Sequence, residues 1–256
     1  MKRFLIVLLC AVLLYPLSVH AKKPVRITVL SYNVQAAKRF PTEEYTKFIK
    51  QYNPDFVAFQ ELDYMTKRYP QKADFLDEVA KQTGMHPVYA ASMAYSEGQY
   101  GIGLMTRFPM LGVQAFALPQ PEGSYEPRRA VSVVAQVNKD LSMRFTSTHL
   151  DLPSDTIRTE QVTSLTKWLS GDDMPSIVCG DFNATPETNA IKYMESHWQR
   201  VCDDQTTYPE KDPRKKIDYI FVKGHGTWKV VDYKRLVDIP LSDHCPILVT
   251  LEYTEQ

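Results

Sequence analysis

The chain has 256 residues with 30 basic and 30 acidic side chains, a formal net charge of zero, 44% apolar residues and four cysteines. Such a balance argues against a clamp for long nucleic acid, because each backbone phosphate contact is made by Lys or Arg. Low-complexity tracts, internal repeats and polar linkers are absent from the sequence, which excludes two small tethered domains in favour of one large α/β domain.

The first residues carry Lys2 and Arg3, an apolar run from Phe4 to Leu14, and small or permissive positions at Val19 and Ala21. That is the pattern of a secretory signal peptide over residues 1–21, cleaved after Ala21. The apolar run is shorter than the roughly 20 residues needed to cross hydrocarbon, and Pro16 breaks it, so a retained anchor is the lesser reading. Cys10 lies inside the run and not at the cleavage point, as an acylated lipoprotein would require. Cleavage leaves 28 basic against 30 acidic residues, a net charge of −2. The mature chain, residues 22–256, is expected to be a single soluble catalytic domain, secreted or periplasmic. Its three cysteines, Cys179, Cys202 and Cys245, form neither an even set nor a CxxC pair, which argues against a disulfide framework or a zinc site.

Apolar runs at Val25–Tyr32, Phe56–Phe59 and Ile177–Cys179 predict buried strands. Between the first two, Pro41 and Thr42 followed by Glu43 and Glu44 open a helix that buries Tyr45, Phe48, Ile49 and Tyr52 and ends near Asn53-Pro54. A second helix is expected from Lys72 to Thr83, burying Phe75, Leu76 and Val79, with Gly84 as its left-handed cap. Strand candidates at 102–105, 113–117, 130–137 and 143–149 follow without an intervening helix, which calls for antiparallel pairing. A third helix begins near Asp155 and carries Ile157, Val162, Leu165, Trp168 and Leu169 at helical spacing. The mixture implies two mixed β-sheets packed face to face with helices outside. The stretches 63–72, 92–100, 119–128 and 203–216 are expected to form the rim of a site, where Tyr64, Tyr95, Tyr100 and Tyr125 would stack on a ligand or cover the edge.

Polar clusters interrupt the apolar runs where strands should end: Asn33, Gln60-Glu61, Thr148-His149, Gly180-Asp181-Phe182-Asn183, Asp218 and Ser242-Asp243-His244. Taken singly, each reads as a cap, a turn or a solvated acid. Together they match the needs of phosphate-ester hydrolysis, which takes a hard cation on oxygen ligands, a positioned water and donors for the phosphoryl oxygens. Glu61, with the amide oxygen of Asn33, suits the cation; Asp181 suits the water as base; His149, Asn183 and His244 suit the oxygens, with Asp218 holding His244.

The segments SYNV, FQELD, YGIGLMTRFP, STHLD, VCGDFNATP, KIDYIFV and LSDHCPILV, in this order across residues 25–252, resemble the endonuclease/exonuclease/phosphatase superfamily with its deoxyribonuclease I-like fold. The pairing of GDFN with a C-terminal SDH is highly specific. The resemblance implies a four-layer α/β sandwich, dependence on Mg²⁺ or Mn²⁺, and a single site at one edge of the paired sheets. It puts Asn33 and Glu61 at metal positions, His149 at the first catalytic histidine, and Asp181 and Asn183 at the pair that orients water and phosphate. Asp218 takes the place of the partner of His244, and Asp243 that of a residue in metal binding or histidine orientation. Arg128 or Arg129 would give a bidentate phosphate contact, or else a solvated turn. Gly101-Ile102-Gly103 reads as backbone packing.

The expected activity is therefore a metal-dependent phosphodiesterase or phosphomonoesterase using in-line attack of an activated water on a small or lipid-linked ester, with no obligate protein partner evident. A secreted DNA or RNA endonuclease is the alternative. A non-catalytic binding module is a third reading, and its expected signature, loss of Glu61, Asp181 or His244, is missing.

Overall fold

The computed structural model describes residues 23–72 and 74–255, so the expected leader lies outside the described residues. Twelve strands form two six-stranded sheets. The first contains β1 (Val25–Asn33), β2 (Phe56–Tyr64), β3 (His86–Tyr95), β4 (Gly98–Thr106), β11 (Thr227–Arg235) and β12 (Ile247–Thr254), in the order β11-β12-β1-β2-β4-β3. The second contains β5 (Met110–Ala117), β6 (Arg129–Asn138), β7 (Leu141–His149), β8 (Ser176–Asp181), β9 (Gln199–Arg200) and β10 (Asp218–Lys223), in the order β5-β6-β7-β8-β10-β9.

Each sheet holds one parallel pair flanked by antiparallel neighbours. In the first sheet, β1 and β2 run parallel, joined by helix α1 (Thr42–Tyr52). In the second, β7 and β8 run parallel, joined by α3 (Asp155–Leu169). The two sheets thus repeat one strand-helix-strand plan that the sequence does not repeat. Their faces meet through Ile27, Val29, Phe56, Ile102 and Leu104 on one side and Val131, Phe145, Ile177, Cys179 and Ile220 on the other. Alternate residues of the same strands, such as Leu30, Tyr32, Val57 and Phe59, pack outward beneath α1 and α2 (Phe75–Thr83). The second sheet is covered in the same way by α3 and α4 (Asn189–His197). Burial on both faces explains why these strands read as continuous apolar runs. The result is the expected four-layer sandwich.

One expectation needs correction, and two features were not anticipated. Within residues 92–100, expected at the rim, β3 and β4 continue and turn at Ser96-Glu97, both with positive φ as a tight hairpin requires. The second helix begins at Phe75, not Lys72, because Lys72 closes a short 3₁₀ turn and its buried ammonium donates to the carbonyl of Phe40. Helix α4, with its apolar positions limited to Ala190, Ile191 and Met194 on the buried side, was not anticipated. Among the described residues, Cys179, Cys202 and Cys245 are free and buried. No helix among the described residues is long and apolar enough to cross a membrane.

Candidate active site

The carboxyl ends of the two parallel strand pairs converge, and that is where an open α/β sheet leaves a crevice. Asn33 ends β1, Glu61 sits in β2, His149 ends β7 and Asp181 ends β8. Register pairs Asp181 with His149 on one side and with Asp218 of β10 on the other, so adjacent strands present the three side by side. Close approach of β7 and β8 depends on Gly180, where a Cβ would lie 1.9 Å from the carbonyl oxygen of Thr148. Glu61 occupies a bulge between Phe59 and Leu62 with φ +56, a conformation that costs a non-glycine residue about 1 kcal/mol or more and turns its carboxylate out of the ladder. Gly101, opposite that bulge, lies so near the backbone of β3 that a Cβ would meet the oxygen of Ala90 at 2.1 Å, in keeping with backbone packing.

Glu61, His149 and Asp181 line one cavity of about 520 Å³ with Asn183, Asp243 and His244, while Asn33 and Asp218 sit behind the lining. On its floor, Asp181 is fully enclosed by partners. Its Oδ1 accepts from the Asn183 backbone N–H at 2.8 Å, and its Oδ2 accepts from Asn33 Nδ2 at 3.1 Å and lies 3.4 Å from His149 Nε2. Burial alone would raise its pKa, but the His244 charge and the His149 contact outweigh it and hold the carboxyl well below the usual carboxylate range. His244 lies between two carboxylates, with Nδ1 3.0 Å from Asp218 Oδ2 and Nε2 3.7 Å from Asp181 Oδ2. Burial would lower the His244 pKa, and Asp218 and Asp181 reverse this and push it up to about 10. Burial lifts the Asp218 carboxyl above its ordinary value against the pull of His244. The proton of the pair stays on His244, because Thr207 also donates to Asp218 Oδ2 at 2.5 Å and favours the carboxylate.

Arg128 and Arg129 part company. Arg128 is buried against the cavity, with Nη1 2.8 Å from His149 Nδ1, Nη2 2.8 Å from Glu126 and Nε 3.6 Å from Asp151. Since guanidinium only donates, His149 Nδ1 accepts, and the ring proton of the neutral tautomer sits on Nε2, facing Asp181. Arg129, the next residue of β6, is absent from the cavity lining because strand alternation sends its side chain the other way. The expected phosphate contact from Arg129 is therefore withdrawn.

Glu61 neighbours Asp181 across the shared Asn33 amide, and neither it nor Asp243 has an ion-pair partner among the described residues. Glu61 accepts from Asn33 Nδ2 at 2.9 Å, and Asp243 from Gln35 Nε2 at 2.6 Å. Gln35 Oε1 is buried without a partner. Asn33 differs from expectation: it turns its nitrogen to the carboxylates, because its oxygen accepts the backbone N–H of Gln35 at 3.1 Å. That contact is made by a left-handed turn in which Gln35, Ala36 and Ala37 all have positive φ. Oxygen donors lacking cations suit a hard divalent ion, so Glu61 and Asp243 fit one. A second grouping, Asp181, Asp218 and His244, has ligand atoms within 4.8 Å of one another. There one imidazolium already offsets one of the two carboxylate charges, and His244 Nδ1 is engaged by Asp218, so the grouping is better described as a proton-holding relay.

The expected rim tyrosines separate. Tyr64 stacks on Tyr89 away from the cavity, Tyr95 covers Arg68, and Tyr100 lines the cavity while nearly buried. Tyr125 stands 72% exposed, its backbone N–H held by Asp151. Gln35, Asp151, Arg158, Thr207 and Tyr208 were not anticipated. Tyr208 lies against the His244 ring, centroids 4.8 Å apart.

A family model described as "Endonuclease/Exonuclease/phosphatase family" matches residues 30–244. The chain belongs to the endonuclease/exonuclease/phosphatase family. Among solved structures, it is similar to a family protein from Bacteroides thetaiotaomicron, with TM-score 0.75, 16% identity and coverage of 90% of this chain and 96% of the other. The human Nocturnin catalytic domain with bound sulfate gives TM-score 0.72 at 20% identity, covering 91% and 96%. The mannosyl-6-phosphatase of Bacteroides thetaiotaomicron gives 0.70 at 17%, covering 88% and 99%. No curated protein matches the sequence. At these identities the likeness establishes the fold, and family membership makes phosphoester hydrolysis the general activity.

Proposed function

We propose that this family member is a divalent-metal-dependent hydrolase of small or lipid-linked phosphate esters, acting outside the cytoplasm. The observation that carries the reading is the division of charge at the cavity: the paired Asp181, His149, Asn183 and His244–Asp218 set beside the uncompensated Glu61 and Asp243. Support for a small ester comes from the size of the cavity, about 520 Å³, and from the near-neutral charge of the chain. Support for the setting comes from the leader pattern of residues 1–21.

Glu61 and Asp243 would hold Mg²⁺ or Mn²⁺, which when bound supplies neutralisation of charge on the phosphoryl oxygens. Asp181, fixed as an anion, orients the attacking water through its carboxylate. So stabilised an anion is a weak base at rest. A substrate phosphate draws the field of His244 away from Asp181 and raises its basicity, so that Asp181 takes the proton of the water as the water oxygen bonds to phosphorus and the ester oxygen leaves in line. His244 Nε2, cationic and without a hydrogen bond closer than the 3.7 Å contact to Asp181, donates to a non-bridging oxygen. The Asn183 amide nitrogen and His149 Nε2, which lie 3.1 Å apart and both carry donor hydrogens, complete the donor set, and Arg128 holds the His149 ring in place.

The test is turnover of the purified 22–256 protein on p-nitrophenyl phosphate, bis-p-nitrophenyl phosphate and plasmid DNA, each with Mg²⁺, Mn²⁺ or EDTA. Chelator-sensitive cleavage of a small ester with intact plasmid is expected. Rapid plasmid nicking would replace the reading with a nuclease, and metal-independent turnover would remove the cation.

A further inference from the structure

Two arginines are buried among the described residues, Arg128 and Arg158. Arg128 is matched by carboxylates. Arg158, on α3 and 9% exposed, is not: Nη1 donates to the carbonyls of Leu152 at 2.7 Å and Asp151 at 3.4 Å, and its buried Nε has no partner at all. Asp155, Asp151 and Asp181 reach it only through space. A guanidinium kept from water without a counter-ion is costly, and such a group retains a use for an anion. Arg158 lines the active-site cavity.

The surrounding chain is built to keep it there. Asp155, one turn earlier on α3, accepts the backbone N–H of Asn189 at 2.8 Å and of Ala190 at 3.2 Å, which pins the start of α4 and the preceding Thr185–Thr188 loop beside α3. Thr185 and Thr188 line the cavity with Arg158, and Lys215, exposed and free of ion pairs among the described residues, enters from the 203–216 loop. The cavity is thus mixed in charge. Its lining carries the carboxylates Glu61 and Asp243, which repel a second anion, and the cations Arg158 and Lys215, which have no ion-pair partner among the described residues and attract one.

We propose that Arg158 and Lys215 form an anion subsite beside the hydrolytic centre, so that the preferred substrate carries a second phosphate or carboxylate near the ester that is cleaved. This rests on the hydrolase reading for its meaning but is tested without turnover.

The full chain in EDTA is titrated calorimetrically with inorganic phosphate, pyrophosphate and phosphonoacetate. Pyrophosphate is expected to bind at least tenfold more tightly than phosphate. Phosphonoacetate matching pyrophosphate would show that the subsite takes a carboxylate, whereas binding like phosphate would show that it needs a phosphoryl group; either supports the subsite. Lys215→Gln, an exposed change that leaves the core untouched, and Arg158→Lys, which keeps a donor to the loop carbonyls, should each shrink the preference below about threefold. Equal affinity for phosphate and pyrophosphate in the wild type, no binding of either, or an unchanged preference in both variants would overturn the proposal. Since no catalysis is read, failure here leaves the turnover experiment to judge the hydrolase reading separately.

Discussion

Two groups of side chains at the cavity solve opposite electrostatic problems. Around Asp181 every charge is answered: His244 is shared between Asp181 and Asp218, Thr207 secures Asp218, and Arg128 secures His149. Around the Glu61 and Asp243 side chains the only partners among the described residues are the side-chain amides of Asn33 and Gln35 and the Ser242 hydroxyl. The first group is completed by folding, and under the proposed function the second would be completed by a cation. Preorganisation of this kind lets a site stabilise a transition state without reorganising at the moment of reaction.

The largest effect should come from the first group. Asp181→Asn keeps the shape but removes the anion that orients water, and kcat should fall by about 10³-fold in steady-state assays. A loss under tenfold would contradict its role. Asp218→Asn should cost about 10²-fold, since His244 would lose the carboxylate that keeps it cationic.

The same variant sharpens the comparison through pH. The His244 value in the folded state, about 10, lies above its ordinary 6.5, so the pair contributes stability in full below about pH 6.5 and loses it as pH rises towards 10. Nitrogen-detected NMR of the metal-free protein should show an imidazolium through neutral pH, with titration shifted downward in Asp218→Asn. An imidazole that titrates near its ordinary value in the wild type would break the comparison.

Smaller effects separate the adjacent arginines. Arg128→Ala should reduce turnover about tenfold and destabilise by about 3 kcal/mol in denaturant unfolding, because Glu126 and Asp151 lose their counter-charge. Arg129→Ala should change stability by no more than about 0.5 kcal/mol and leave turnover within twofold. Equal losses would mean that Arg129 reaches the substrate after all.

Much of this was readable before folding. Strands buried on both faces announced themselves as apolar runs, and Asn33, His149 and Asp181 follow them at strand ends, whereas Glu61 sits in a bulge inside β2. Helix α4 did not announce itself, because its few apolar residues give a weak period, and the hairpin at Ser96-Glu97 hid behind a polar turn. Long-range partners were harder still. Thr207 meets Asp218, and Gln35 meets Asp243, through loops whose sequences carry no periodic signal. Arg158 and Gln161 did leave a trace, two polar residues on the face of α3 that also buries Val162 and Leu165. The split between Arg128 and Arg129 required only the phase of β6, which sequence left open by a single residue.

Binding of Mn²⁺, followed by electron paramagnetic resonance in the wild type, Glu61→Gln and Asp218→Asn, tests the division between the two groups most directly. The account predicts at least a tenfold loss of affinity in Glu61→Gln and near-wild-type binding in Asp218→Asn. The reverse pattern would place the cation among Asp181, Asp218 and His244 and contradict it.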